Sequence, residues 1–373
     1  MQICSLGNIK SKGLSFLSSI SLTQFRNYGL QSFDFDAKVI GITGNNGIGK
    51  TNLLDAIYYL CFTKSYFQSK EIHNVQQGLD GFRIEGAFLD MAAGAPVATS
   101  IVWKEGKKKI MEKGILVERV TSYIGKHTAL MIAPDDIALI NGASDVRRKF
   151  IDGLLSQADR NYLEQLLAYQ KVLTQRNAYL KQVPAIHLNH DLLDVYDNQL
   201  AQSGTYLMQQ RIQFSNELPV LVQSFYQQLA QQTEAIDVVY KPCIHTPEQL
   251  KALLQYNRAR DIEARRTTAG LHTEDWALLL NEHPYKTHAS QGQKKSMLIS
   301  MKLAQLEWLR QLGKSPIVLL DDIFEKLDQE RLSRFFALLH QLEIPQIFMT
   351  HTNTEELRHL VHAHFSSLQM ITL

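Results

Sequence analysis

Eight consecutive residues, Gly44-Asn45-Asn46-Gly47-Ile48-Gly49-Lys50-Thr51, have the types and spacing to grip a triphosphate. They fit G-x-x-x-x-G-K-[ST], in which glycines let the backbone curl so that its N–H groups face phosphate oxygens. In such a loop Lys50 reaches the β- and γ-phosphates and the Thr51 hydroxyl ligates Mg²⁺. With Asn52 behind them, residues 44–52 are the candidate ATP contacts. A second constellation supplies what hydrolysis needs. Ile317-Val318-Leu319-Leu320 is an apolar run ending in Asp321 and Asp322. Asp321 would orient Mg²⁺, directly or through water, and Asp322 would orient or activate the attacking water. Standing alone, that acidic pair reads equally well as a surface turn after a core strand. Beside a phosphate loop it reads as the other half of a site.

Two further groups could complete it. Ser290-Gln291-Gly292-Gln293 opens a helical segment, and serine at a helix start with a bare glycine makes an outward-facing anion site. Read alone, Ser290 is a simple N-cap. Thr350-His351-Thr352 follows an apolar run, where a polar residue can touch a γ-phosphate. Read alone, His351 is a capped surface histidine. Lys50, Asp322 and Ser290 are thus the catalytic candidates; Thr51 and Asp321 are the metal candidates; Gly292, Gln293 and His351 join the nucleotide contacts.

These residues need elements to carry them. Val39 to Thr43 is strand-like and Asn52 to Leu60 is helical in pattern, giving strand, glycine loop and helix in order. Residues 15–43 alternate as two short strands before that. Residues 82–90 and 97–103 read as strands, and the lysine-rich 104–114 as a charged hairpin tip or short loop. From 146 to 181 apolar residues recur at helical steps, as they do over 191–232, with Pro219 an expected break or kink. Residues 234–241 read as a strand, 247–265 as a helix, and β texture returns near 276–280. Helix 291–312, strand 316–320, helix 328–340, strand 345–349 and helix 353–363 then alternate. That rhythm implies a buried, mostly parallel sheet. The expected organisation is an N-terminal extension (1–14), the first part of an α/β head (15–135), an inserted helical arm (136–265) and the rest of the head (266–373).

The bulk properties bound the rest. A chain of 373 residues is long for a single core. At 45% hydrophobic and 20% charged residues, it is composed as an ordinary globule. It has no apolar run of membrane-spanning length. The early Gly7, Lys10, Lys12 and Gly13 argue against a secretory signal. Cys4, Cys61 and Cys243 are widely spaced and read as reduced cytoplasmic thiols. A net charge of +2 gives no bulk argument for nucleic acid, so any such contact must come from local patches.

The order of these features resembles the ABC-type ATPase head of SMC-like proteins: phosphate loop, long insertion, Ser-x-Gly-Gln, carboxylate strand, Leu-Asp, then a polar residue after the next strand. From Gly44 to Asp321 is 277 positions, more than a transporter head needs, and the helical arm fills the excess. At finer grain the chain resembles the bacterial RecF family from about Ile20 onward. Phe25-Arg26-Asn27-Tyr28 looks like the family's start motif, and Gly47 through Tyr58 like its phosphate loop and helix. Ala133-Pro134-Asp135-Asp136, Gly142 and Arg147 through Asp152 resemble its mid-chain signature. Gln175-Arg176-Asn177 resembles the end of its first arm helix. The Ser290–Gln293 and Leu319–Asp322 blocks agree as well. Two stretches depart from the pattern: Gly270 through Asp275 lacks the usual proline and arginine, and Gln291 stands where arginine is common.

The resemblance implies an α/β fold, an ABC-type P-loop ATPase head with an inserted α-helical arm. It implies a cytoplasmic, nucleoid-associated DNA-binding protein that dimerises on ATP, with Arg26 at the nucleotide. It further implies binding at single-strand/double-strand junctions of gaps, cooperation with RecO and RecR in loading RecA, and weak, DNA-stimulated ATP hydrolysis. Candidate DNA contacts are Lys104, Lys107, Lys108, Lys109 and Lys113, then Arg147 and Arg148, then Arg258, Arg260, Arg265 and Arg266. Each cluster also reads as a solvated charged face. His359, His362 and His364 read as surface or core histidines rather than metal ligands. Two other readings stay open: an ATPase subunit coupled to a membrane transporter, and a non-hydrolysing SMC-like clamp.

Overall fold

The structure, a computed structural model, describes residues 15–90, 96–231, 234–246, 248–323 and 328–373. The expected extension at 1–14, with Cys4, lies outside the described residues, as do Phe324, Glu325, Lys326 and Leu327 before Asp328. The chain divides into two compact units, Met1–Asp136 with Gln305–Leu373, and Ile137–Ala304.

The first unit begins with β1 (Ser15–Phe25), β2 (Tyr28–Asp34), β3 (Val39–Thr43) and α1 (Lys50–Phe62). It continues with β4 (Gly81–Asp90), β5 (Pro96–Lys104), β6 (Lys107–Glu112), β7 (Ile115–Leu116) and β8 (Ala129–Ile132). Six of these strands form an antiparallel sheet in the order β2-β1-β4-β5-β6-β7. The segment expected as a hairpin tip or loop over 104–114 is mostly strand β6. The tip itself is Glu105-Gly106, both at positive φ, which matches the twist of the flanking strands.

The second unit is mainly helical: α2 (Ala138–Asn141), α3 (Ser144–Ala158), α4 (Arg160–Gln182) and α5 (His190–Ala230). Then come β9 (Ile236–Lys241), α6 (Gln249–Tyr256), α7 (Arg258–Ala264), β10 (Asp275–Leu280), β11 (His283–Pro284) and α8 (Tyr285–His288). The α5 helix runs through Pro219 without the expected break. Phe214, Leu218 and Val222 are buried on either side of it, and that packing outweighs one lost backbone bond. The helix expected over 247–265 is two helices that meet at Asn257. The return to the head was expected at 266, yet 266–304 clusters with the helical unit. β10 pairs antiparallel with β9, which ties the segment there.

Four arginines pin this unit internally. Arg176 is buried and donates to Asp197 at 2.9 Å, Asp261 at 2.7 Å and Thr267 at 2.8 Å. Arg211 reaches Glu274 at 2.6 Å and Asp152 at 2.8 Å. Arg147 donates to Asp275 at 2.8 Å, and Arg148 to the Glu274 carbonyl. The loop that departs from the family pattern therefore still carries charge contacts, through Glu274 and Asp275.

The unit boundary falls within α9 (Gln291–Gln311). The first unit then resumes with β12 (Ile317–Leu320), α10 (Gln329–Gln341), β13 (Ile347–His351), α11 (Thr354–His362) and β14 (Leu368–Thr372). Its second sheet has the order β14-β3-β13-β12-β8, with every neighbouring pair parallel. Every residue of β3, β8, β12 and β13 is buried, as a parallel sheet covered on both faces requires. Helix α1 packs against strands of both sheets, which is why it is apolar nearly all round.

Candidate functional site

The phosphate loop grows from the buried end of β3. Gly44, Gly47 and Gly49 sit at φ 146°, 82° and 124°, a region open to glycine and strained for other residues. At Gly49 the need is doubled, because an added Cβ would stand 2.5 Å from Asn27 Nδ2. Asn45, Asn46, Gly47 and Ile48 are exposed, so their backbone is open to a ligand. Lys50 is buried, and its ammonium donates to the carbonyls of Gly44 at 2.8 Å and Asn45 at 3.1 Å. The charge is thus held at the loop, with no carboxylate partner among the described residues.

The turn after β1 buttresses this loop from beneath. Asn27 Nδ2 donates to the Ile48 carbonyl at 2.7 Å, and the Tyr28 hydroxyl donates to the Gly49 carbonyl at 3.0 Å. Asn52 Nδ2 donates to Asn27 Oδ1 at 2.6 Å. Arg26 was expected at the nucleotide. Its guanidinium donates to Asn52 Oδ1 at 2.7 Å, Ser65 Oγ at 2.9 Å and the Asp55 carboxylate. Burial pushes the Asp55 carboxyl up from its ordinary value, and the Arg26 charge pulls it back. In this arrangement Arg26 fixes the turn that supports the loop.

Residues 270 positions apart then meet. The Thr51 hydroxyl donates to Asp321 Oδ1 at 2.8 Å. The same oxygen accepts from the Thr350 hydroxyl at 3.0 Å, and Thr350 Oγ1 accepts the Asp322 backbone N–H at 3.0 Å. Burial raises the Asp321 carboxyl above its ordinary value and Asp322 adds to the rise; the Thr51 and Thr350 bonds and Lys50 oppose it. Sheet order explains the meeting. β3, β13, β12 and β8 are successive neighbours, so their carboxyl ends form one edge. The Asp321 N–H bonds the Ile132 carbonyl of β8 at 2.8 Å. Ligands of open α/β sheets bind beyond such an edge.

A hydroxyl and a carboxylate side by side are hard oxygen donors that fit Mg²⁺. The described residues hold no cluster of three or more His, Cys, Asp or Glu suited to a metal. Mg²⁺ takes few protein ligands and fills its shell with phosphate and water. His351 ends β13 in register with Thr43 of β3. It is buried rather than on the surface; its Nδ1 accepts from Asn353 N at 3.1 Å, and Nε2 lies 3.4 Å from Glu356.

Ser290, Gly292 and Gln293 belong to the helical unit. Ser290 is exposed, and its Oγ accepts the Gln293 N–H at 3.2 Å while Gln293 Oε1 accepts the Ser290 N–H at 2.6 Å. This reciprocal capping box fixes the start of α9. Gln293 is braced further by Glu234 at 2.6 Å. Several candidate DNA contacts are engaged inside the protein: Lys108 with Glu71, Arg147 with Asp275, and Arg258 with Asp194 and Asp197. Lys107, Lys109, Lys113, Arg260, Arg265 and Arg266 are exposed and have no ion pair among the described residues.

The sequence matches the family model described as RecF/RecN/SMC N terminal domain over residues 16–370. It is 35% identical over 360 residues to the DNA replication and repair protein RecF of Flavobacterium johnsoniae, covering 96% of this chain and 99% of that one. The chain belongs to the RecF family. The RecF of Bacteroides fragilis is 35% identical over 356 residues, covering 95% of each chain. Among solved structures, the recombination mediator protein RecF-ATP in the RecFOR pathway superposes with a TM-score of 0.87 at 28% identity, covering 98% of this chain and 97% of that one. The Smc head bound to the C-winged helix domain of ScpA aligns at a TM-score of 0.53 and 12% identity, covering 96% of this chain and 94% of that one. It shares the fold alone. The α/β architecture of this RecF family member is that of RecF and SMC head ATPase domains.

Proposed function

We propose that the chain is an ATP-dependent DNA-binding protein of recombinational repair and replication. It binds ATP at residues 44–52 and dimerises on that nucleotide. It engages single-strand/double-strand junctions at gaps and hydrolyses ATP slowly, with DNA stimulating the reset. Its likeness to relatives of the RecFOR pathway supports RecO and RecR as partners, and RecA loading is the proposed outcome. The observation that carries the reading is the 2.8 Å bond from Thr51 to Asp321, which joins the phosphate loop to the acidic strand end. Lys50 neutralises the β- and γ-phosphates and the loop N–H groups orient them. Thr51 and Asp321 would hold Mg²⁺, which when bound would supply further charge neutralisation. Asp322 orients the attacking water.

The test is DNA binding measured with ATP, ADP and no nucleotide, on gapped and blunt duplexes. ATP should strengthen binding to gapped DNA by about tenfold or more over ADP, within the usual range of coupling between two sites. Lys50→Ala should lose tight ATP binding and that enhancement together. Equal affinity in all three nucleotide states would sink the reading.

A further inference from the structure

We infer that Thr350 is a positioning residue that couples the metal-side carboxylate of Asp321 to the water-side carboxylate of Asp322. The inference rests on the ATPase reading above. Thr350 is fully buried near the end of β13, one strand over from β12, which the acidic pair follows. Its single hydroxyl makes two bonds at once, donating to Asp321 Oδ1 and accepting from the Asp322 N–H, each at 3.0 Å.

Each bond has a separate consequence. The first, with the Thr51 bond, places two hydroxyl donors on one Asp321 oxygen. That leaves Oδ2 without a hydrogen-bond partner among the described residues, and so sets which lone pairs face a cation. The second bond acts on the backbone. Asp322 has φ 44°, a left-handed conformation uncommon outside glycine that aspartate and asparagine tolerate better than most residues. Strand alternation would send Asp321 and Asp322 to opposite faces. The left-handed turn breaks that alternation, and the Thr350 hydroxyl holds the half-buried N–H at the turn. A valine there would keep the shape and burial and lose both bonds.

The full chain is compared with Thr350→Val and Thr350→Ser in three measurements: binding of a fluorescent ATP analogue as Mg²⁺ is titrated, steady-state kcat and KM, and thermal unfolding. Thr350→Val should raise the Mg²⁺ concentration needed for half-saturation by about fivefold or more. It should lower kcat by about 10–100-fold with KM changed less than about threefold, the scale on which a displaced catalytic group acts. Thr350→Ser keeps the hydroxyl and should restore both to within about threefold. If Thr350→Val unfolds, Thr350→Ala carries the same expectation. Parent-like Mg²⁺ dependence in the hydroxyl-free variants overturns the inference, as does failure of Thr350→Ser to restore it in a folded protein. A parent protein that binds nucleotide but turns none over overturns the hydrolysis reading alone, and the Mg²⁺ titration still decides Thr350.

Discussion

Two aspartates in sequence can do different work when their surroundings differ. Asp321 is buried, receives two hydroxyl bonds, and has its carboxyl pushed up chiefly by that burial. A bound cation at Oδ2 would relieve this, because opposite charge favours the ionised form. Asp322 is only half-buried, and its bond to Thr350 runs through its backbone, so its side chain is available to water. An asparagine in its place would keep the size of the side chain and tolerate the left-handed backbone while lacking the charge. Asp322→Asn should therefore bind ATP as the parent does and turn over about 10²–10⁴-fold more slowly, the usual share of a positioned general base. Phosphate release measured beside nucleotide titration checks this. Turnover at the parent rate would remove Asp322 from that role.

The two sheets of the first unit are joined by a side chain no pattern reveals. Gln346, just ahead of β13, is fully buried; its amide accepts from Leu17 N at 2.8 Å and donates to Leu17 O at 2.9 Å. The clamp sits where β1 shifts register against β4, between Leu17 and Ser19, so it satisfies backbone groups the ladder misses. Gln346→Leu should destabilise the protein by about 2–5 kcal/mol, since two buried polar groups lose their partners. Urea unfolding measures it, and a loss under about 1 kcal/mol would show that the clamp contributes little. In sequence, Gln346 looks like any surface glutamine. By contrast the phosphate loop and β12 are legible, because their signals are local: glycines at fixed offsets and an apolar run ending in acids. Strand β8 is also apolar, Ala129 to Ile132, but its acids Asp135 and Asp136 do not follow directly, and so short a run cannot by itself be told from a buried helix segment. The arginine pairings are hidden for the opposite reason. Arg147 meets Asp275 across 128 positions, and neither residue type announces a partner, so a pinned side chain reads as a DNA contact.

For the whole molecule, a net charge of +2 leaves little general attraction to a polyanion. The proposed contact with DNA would then depend on the exposed Lys107, Lys109, Lys113, Arg260, Arg265 and Arg266, and on how many of them two copies can present together. The proposed dimer supplies that doubling, and it requires the start of α9 in one copy to meet the triphosphate held by the other. The capping box makes this testable without wrecking the helix. Ser290→Arg places a long side chain at the exposed N-terminus and removes the cap, which alone costs about 0.5–2 kcal/mol. Ser290→Asp keeps a capping acceptor and suits the helix dipole, so the fold should hold, yet it sets a negative charge against the incoming phosphates. Both variants should bind ATP within about threefold of the parent as monomers, and both should weaken the ATP-driven dimer by about tenfold or more in sedimentation velocity, a coupling of the size expected between linked sites. If Ser290→Asp dimerised with ATP as the parent does, the start of α9 would not face a triphosphate in the assembled protein, and the shared-nucleotide dimer would fall with it.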